Sequence, residues 1–472
     1  MYVLTYVVPA LVIGFFLWKG RRDPVYILAL PLLLGYGRSI FLDTYSLRLG
    51  LVNGVTVYYE DVTLMVLLVV LVYVRAIRRT ASPARFTLQL YLCVGLLVLL
   101  TAKAVAASFT SGTGLASPSS LLSLVKAVAW ARVWFYLPLS VMLWHVVLKR
   151  FSRQEILRLL GILTWVTAAC AVVYLADLAG IKTYTSIWDP FSTIQTPGGL
   201  TVSRDYLFLP AFLTVALGYS LAHLVYGRQR ATYLLVAVVL TACAVFSFTR
   251  TFALVAAGLW VVAIFWWAVI IRLRGRSGRV RTSIGPARAF LLVGAFAAVS
   301  SAGVFGWSTI AAWWAFLALR LGGLQRGAAG DPNSALRLNL YLLAARTVSH
   351  EGFFLGTLMT TIGAGGAAYF RDSYWAYVLL SVGWLGLLVV GALVFSALTE
   401  ATVRALRADA RSAMLGLTIL FALLSMILYS SAGGAWADAA TIGAFFLAAP
   451  DVRFRVVPSA SSAAVPTGIE EP

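Results

Sequence analysis

Residues 230–272 read RATYLLVAVVLTACAVFSFTRTFALVAAGLWVVAIFWWAVIIR and contain two apolar runs, predicted as spans 231–248 and 251–271. Each run has about the length that a helix needs to cross a hydrocarbon layer of about 30 Å. The turn Ser247-Phe-Thr-Arg250-Thr251 leaves almost no loop between them. This stretch therefore predicts a membrane-spanning helical hairpin with Arg250 at its tip.

The remainder of the chain has the same character. Its 472 residues are 61% hydrophobic and 11% charged, with a mean hydropathy of +0.90, which is far more apolar than a soluble globular domain. The sequence predicts an all-α, polytopic integral membrane protein of twelve or thirteen transmembrane helices. The predicted spans are 3–18, 24–42, 62–77, 86–107, 120–148, 156–178, 204–226, 231–248, 251–271, 289–306, 374–398, 412–430 and 436–449.

Basic loops between alternate spans predict the orientation, because Lys and Arg concentrate in cytoplasmic loops. These loops are 19–22, 75–85, 149–158, 228–230, 272–288 and 404–411. They account for the net charge of +20 without a nucleic-acid partner. Residues 1–450 are predicted to form one transmembrane domain with an external N-terminus, and residues 1–18 are interpreted as a span and not as a cleaved leader. Residues 451–472 are predicted to be a disordered cytoplasmic tail.

A long external segment, residues 306–373, is predicted between the tenth and eleventh spans. Trp307–Leu321 is interpreted as a helix in the membrane interface, and Ser334–Ser349 as a second helix with Ser334 as its N-cap. Long loops in compact domains are commonly functional. A smaller external hairpin is predicted at Val52–Val57, around an Asn-Gly turn.

Several cations fall in the outer halves of predicted spans, where charge is costly. Arg38 and Lys103 lie near span ends, so their side chains are expected to extend into the head groups. Lys126 and Arg132 lie deeper in the fifth span, which favours a role in binding an anion. Arg132 has the alternative of pairing with a carboxylate such as Asp177 or Glu60.

Three arginines are expected to converge at the external side: Arg250 in the tight turn, Arg204 at the start of the seventh span, and Arg337 in the second external helix. The planar guanidinium group offers several donors to phosphate oxygens and stays charged when partly desolvated. The alternative for Arg250 and Arg337 is ordinary anchoring in the interface.

A general base on the external side must come from a small set of titratable groups. Asp372 precedes the eleventh span, Glu60 and Asp61 precede the third, and His350 lies in the long segment. The alternative is that these groups neutralise nearby arginines; Arg371, for example, is adjacent to Asp372.

The remaining histidines and the cysteines show no metal-ligand spacing, so neither a metal nor a cofactor is expected. His145 and His223 lie near cytoplasmic span ends and are interpreted as packing residues. Cys93, Cys170 and Cys243 each lie inside an apolar run.

The segment Ser247-Phe-Thr-Arg250-Thr-Phe-Ala-Leu, followed by a basic loop and then by Arg337, resembles the O-antigen ligase and polymerase superfamily. Three further stretches resemble that family: Thr201–Pro210 with its arginine, His350-Glu-Gly-Phe-Phe-Leu-Gly356, and the span opening that begins with Asp372-Ser-Tyr-Trp. The resemblance covers about residues 200–450.

The resemblance implies a C-type glycosyltransferase fold and glycosyl transfer at the outer face of the bacterial inner membrane. The implied donor is a glycan on a polyprenyl diphosphate, and the implied acceptor is a glycan hydroxyl. Arg204, Arg250 and Arg337 would contact the diphosphate, with Lys126 and Arg132 extending the positive field. A chain-length regulator is a further candidate partner.

One departure concerns the type of transfer. Ligases of this family carry a His-Asn pair where this chain has Asp372-Ser373. The difference favours a repeat-unit polymerase, with Asp372 as base or acceptor contact. A ligase that transfers a finished glycan to lipid A core or protein is the first alternative. A transporter or flippase for an anionic lipid or solute is the second.

Overall fold

The computed structural model describes residues 11, 13–40, 59–78, 87–110, 121–178, 193–195, 201–203, 210–227, 229–246, 250–274, 332–351, 354, 356, 374–407, 409–432, 436–450 and 453. Within these residues the chain is helical apart from one small hairpin. The helices are α1 (13–20), α2 (Pro24–Ile40), α3 (Tyr59–Ile77), α4 (Leu88–Thr110), α5 (Leu121–Leu148), α6 (Arg153–Leu178), α7 (Pro210–Tyr226), α8 (Arg230–Phe246), α9 (Arg250–Arg274), α10 (Pro332–Glu351), α11 (Tyr374–Ala405), α12 (Ala410–Ala432) and α13 (Trp436–Ala448). The strands β1 (Thr193–Gln195) and β2 (Thr201–Ser203) pair antiparallel.

Most predicted spans coincide with helices to within a few residues. The tight hairpin is confirmed, since α8 ends at Phe246 and α9 begins at Arg250. The largest differences are the end of α11, which continues to Ala405 beyond the predicted 398, and the start of α7, which lies at Pro210 and not at Arg204. Proline suits the first turn of a helix, because it needs no N–H there and disfavours helical backbone in the residue before it. Arg204 follows β2 directly and lies outside the described residues.

The second external helix is confirmed with an earlier start. It begins at Pro332, so Ser334 lies within the first turn and is not the N-cap. The reason is again that proline fits the first helical position. Three other predictions lie outside the described residues: the span 289–306, the helix Trp307–Leu321 and the hairpin Val52–Val57. The β1–β2 hairpin was not predicted.

Four helical segments are long and apolar enough to cross a membrane by length and composition, within the described part of the chain. They are Arg153–Ala176, Phe252–Val269, Val382–Ala405 and Ala410–Leu428. Five other apolar helices are shorter, with 10–17 residues each. The protein is therefore an α-helical protein of the membrane type.

Apolar side chains form exposed stripes along helices, as expected where the solvent is lipid. On α3, Met65, Val69 and Val72 are each about two-thirds exposed and lie on one helical face. On α9, Val261 and Phe265 repeat this arrangement one turn apart. These faces have no apolar cover within the described residues.

The centre of the bundle is formed by α7 and α12, which pack against each other along their buried faces. Gly218 permits their close approach, because a Cβ atom there would lie 2.7 Å from the Cβ of Phe421. Around this pair lie α6, α8, α9 and α11, while α5 packs against α3, α4 and α13.

Ion pairs link loops that are distant in sequence at one end of the bundle, which we call the basic end (the loops around Asp23, Arg78, Glu155 and Asp409). Arg78 binds Glu155 with N···O distances of 2.5 and 3.1 Å. Arg158 pairs with Asp23, and Arg153 lies 3.5 Å from Asp409.

Contacts at the basic end show which ends of the helices lie there. The Tyr226 hydroxyl at the end of α7 donates to the Ala405 carbonyl at 2.7 Å, and Arg404 donates to the Ala449 carbonyl at 3.4 Å. The ends of α3, α5, α7, α11 and α13 thus share one end of the bundle. This confirms that the described parts of the basic loops lie together, as the alternating charges predicted, and the starts of α3, α5, α9 and α11 lie at the opposite end.

Candidate functional site

The predicted site residues with described backbone positions all lie toward the opposite end of the bundle. Glu60 and Asp61 begin α3, Lys126 and Arg132 lie in the first half of α5, Arg250 begins α9, and Arg337 and His350 lie in α10. Of these, only Asp61 has a described side chain. Arg204 and Asp372 lie outside the described residues.

Arg250 is the first residue of α9. A helix N-terminus presents unpaired backbone N–H groups and carries a partial positive charge. An arginine at that position adds a full charge and planar donors, so the hairpin tip is chemically suited to phosphate oxygens. The helix itself is fixed by packing against α7, α8 and α12.

Arg337 lies on α10, which packs against the first part of α11. Leu340, Ala344 and Val348 of α10 form a buried cluster with Ala376, Leu379 and Leu380 of α11. This cluster lies in the first two turns of α11, so α10 packs at the end of α11 that is opposite the basic loops.

The helices that carry Arg250 and Arg337 pack in different parts of the bundle. Within the described residues, α9 and α10 share no extensive interface; α10 packs on α11, which packs on α12, which packs on α9. The convergence of Arg204, Arg250 and Arg337 concerns side chains outside the described residues, and it stays a prediction.

Asp61 accepts a hydrogen bond from the hydroxyl of Tyr136, which is 4% exposed. Sequence reasoning missed Tyr136. The available signal was its spacing, since Tyr136 follows Arg132 by four residues and so shares a face of α5 with it. The hydrogen bond joins the first turn of α3 to the middle of α5 and fixes the Asp61 carboxylate between these two helices.

Lys103 differs from its prediction. Its side chain was expected to extend into the head groups, yet it is only 9% exposed. Its Nζ atom is buried and has no hydrogen-bond partner among the described residues. The reason is the helix face, because Lys103 continues the Leu96–Leu100 stripe at a spacing of three residues, and this stripe packs against α11.

A break in α11 lies close to this stripe. Gly383 has φ 67° and ψ −170°, which interrupts the helix, and the Leu385 N–H donates to the Phe354 carbonyl at 3.2 Å. A Cβ at Gly383 would lie 2.4 Å from the nitrogen of Gly356. The chain after α10 therefore crosses α11 at the break, which only glycine permits.

The two remaining histidines are packing residues at the basic end, as predicted. His145 is 1% exposed, and the His223 ring stacks on Tyr233 with centroids 3.8 Å apart. In the described part of the chain, no group of three or more His, Cys, Asp or Glu side chains is placed to hold a metal ion.

Comparisons of this chain with protein-family models, with curated proteins and with solved structures found no match.

Proposed function

We propose that this protein is a polysaccharide repeat-unit polymerase, a metal-independent inverting glycosyltransferase of the O-antigen ligase and polymerase type. Its site would lie at the outer face of the bacterial inner membrane, within a C-type fold of twelve or thirteen spans. The observation that carries the proposal is the α8–α9 hairpin, which sets Arg250 on a helix N-terminus at the end opposite the basic loops.

In the proposed reaction an acceptor glycan hydroxyl attacks the anomeric carbon of the donor. The bond between that carbon and the diphosphate oxygen breaks, and the polyprenyl diphosphate leaves with the electron pair. The acceptor proton passes to a carboxylate, for which Asp372, Asp61 and Glu60 are the candidates. A diphosphate leaving group needs fixed positive charge more than a general acid, and Arg250 is suited to supply it.

The Asp61–Tyr136 pair supports a role for Asp61 in positioning. Tyr136 is buried and donates to the carboxylate, so it restricts the rotamers that Asp61 adopts. A base that is held in this way loses little conformational freedom when the acceptor binds.

A second candidate function has its own support. The break in α11 and the buried Lys103 resemble the discontinuous helices and intramembrane charges of transporters. A flippase for an anionic lipid would use the same cations without forming a glycosidic bond.

The deciding experiment incubates the purified full-length protein with a polyprenyl-diphosphate-linked repeat unit and separates the products by gel electrophoresis. We expect a ladder from the wild type and a loss of at least about 100-fold in rate for Arg250→Ala, since removal of a preorganised charge on a leaving group costs about that much. The matched control is Arg75→Ala, an exposed arginine in the last turn of α3 at the basic end.

Three other outcomes would redirect the assignment. An equal ladder in Arg250→Ala would remove the proposed role of the hairpin. A single product of fixed size would indicate a ligase. Intact substrate together with its movement across proteoliposomes would indicate the flippase.

Asp372→Asn and Asp61→Asn, assayed in parallel, identify the base as the carboxylate whose loss abolishes the ladder while substrate binding persists.

A further inference from the structure

Lys103 is a buried cation without a counter-charge among the described residues. It is 9% exposed, and its Nζ atom is enclosed with no hydrogen-bond partner there. A lysine seven residues from the end of α4 has a stem long enough to approach the head groups. The fold instead turns it inward, where a charged ammonium is unfavourable unless an anion accompanies it.

The helices around Lys103 supply cations and almost no carboxylates. α4 packs extensively against α5 and α11. Together these three helices contain a single acidic residue, Glu400, which lies near the basic end and binds Arg404 at 3.4 Å. α5 adds Lys126 and Arg132 to the same half of the bundle.

Arg132 and Lys103 lie at similar depths. Lys103 is fifteen residues from Leu88, and Arg132 is sixteen residues from Leu148, which corresponds to about 22 and 24 Å from the basic end of each helix. α4 and α5 run in opposite directions in contact with each other. Lys103 and Arg132 therefore lie at a similar depth in the bundle.

The break in α11 lies beside the same helix face. Leu96 and Leu100 pack against Val378, Val382 and Val390, and the break at Gly383 follows Val382 directly. The second half of α11 starts at this point, so the positive end of its helix dipole lies there, where the Phe354 carbonyl already accepts from the Leu385 N–H. Discontinuous membrane helices commonly direct such ends at anionic groups.

We infer that Lys103, together with the start of the second half of α11, forms a binding site for a phosphate group, and that its ligand is a polyprenyl phosphate or diphosphate. Phosphate fits because it offers several acceptors to the ammonium group and because its negative charge suits the positive end of a helix dipole. The identity of the lipid rests on the proposed function, whereas the anionic group is argued from the buried Lys103, the cations of α5 and the break in α11.

The test measures binding of polyprenyl phosphate, inorganic diphosphate and neutral polyprenol to the full-length protein in detergent micelles. Lys103→Met preserves the apolar stem and removes the charge, whereas Lys103→Arg preserves the charge. We expect Lys103→Met to weaken polyprenyl phosphate binding by about tenfold or more, as for loss of a charged hydrogen bond. Lys103→Arg should retain most of the affinity, and polyprenol binding should not depend on Lys103.

Lys149→Met is the matched control, since Lys149 is also buried, at 8% exposure, but lies at the basic end. The affinity of the Lys149→Met protein for polyprenyl phosphate should equal that of the wild type. If inorganic diphosphate shows the same dependence on Lys103, the site binds the phosphate group without its lipid; if it does not, the lipid is required.

The inference is overturned if Lys103→Met leaves polyprenyl phosphate affinity unchanged. A lower melting temperature of the ligand-free variant combined with unchanged affinity would likewise assign Lys103 a structural role and no role in binding. The two proposals separate cleanly in the ladder assay. Lys103-dependent binding without a ladder removes the polymerase, and a normal ladder with normal binding in Lys103→Met removes this site.

Discussion

Asp409 illustrates how single residues hold the basic end. Its carboxylate accepts hydrogen bonds from the Ser412 hydroxyl at 2.6 Å and from the N–H groups of Ser412 and Arg411 at 3.1 and 3.3 Å, so it caps the start of α12. Arg153 lies 3.5 Å away. The hydrogen bonds from Ser412 are the main reason that the pKa of Asp409 lies below its ordinary value.

Because the pKa of Asp409 is lowered, the stability that this carboxylate contributes as the cap of α12 depends on pH. Because the carboxyl is more acidic in the folded protein than in the unfolded chain, its stabilisation is complete above the unfolded-state pKa of about 3.9. The stabilisation is lost as the pH falls through the lower, folded-state pKa.

We predict that Asp409→Ala lowers the free energy of unfolding by about 1 kcal/mol at pH 7, the usual contribution of an N-cap. The difference from the wild type should shrink at acidic pH. Asp409→Asn, which keeps a capping oxygen, should retain most of the stability and show less dependence on pH. Denaturant unfolding in detergent at several pH values measures this, and a pH-independent difference would contradict it.

At the scale of elements, α11 combines a long apolar helix with a defined break. Gly383 interrupts the helix, and the chain after α10 is hydrogen-bonded to it through Phe354. An L-residue at a φ of 67° is strained, and its Cβ would also meet the backbone of Gly356. The break therefore depends on one glycine.

We predict that Gly383→Ala lowers stability by at least about 1–3 kcal/mol, the usual cost of such a backbone conformation, before the contact with Gly356 is counted. Gly391→Ala is the control on the same helix, because nothing lies within 4 Å of a Cβ placed there. It should stabilise the protein by about 0.5–1 kcal/mol, since alanine favours helix. Thermal unfolding in detergent compares the two, and similar melting temperatures would contradict the prediction.

Element boundaries were predictable where apolar runs meet charged or short polar segments. The apolar run of α5 and the turn at Arg250 are examples. In both, the ends of the helices follow from the local sequence, because the bilayer and not the neighbouring helices requires a long apolar run. The start of α7 was not predicted, because the apolar residues before Pro210 extend the hydropathy signal beyond the helix. The break at Gly383 was also missed, since glycine is common in membrane helices and only the approach of Phe354 reveals this one.

At the scale of the whole molecule, ion pairs gather the basic loops at one end. The Arg78–Glu155 and Arg158–Asp23 pairs join three loops that are far apart in sequence. If this end faces the cytoplasm, as the distribution of Lys and Arg predicts, the start of α11 faces outward.

We predict opposite labelling of single cysteines at the two ends, in a background with Cys93, Cys170 and Cys243 replaced by alanine. Arg411→Cys, at an exposed position, should react with a membrane-impermeant maleimide only after the cells are opened. Ser373→Cys, just before α11, should react in intact spheroplasts. The reverse pattern would invert the topology and exclude a polymerase site on the outer face.

The sequence by itself determined the membrane class, the approximate spans and the grouping of basic loops, because these follow from local hydropathy and loop charge. It also identified Arg250 in a tight turn, since only a few residues separate two apolar runs. Only the tertiary structure decided that Lys103 is buried, that Tyr136 binds Asp61, and that α11 breaks at Gly383. Each depends on which helix faces pack together, and hydropathy is similar on every face of a helix that lies in lipid.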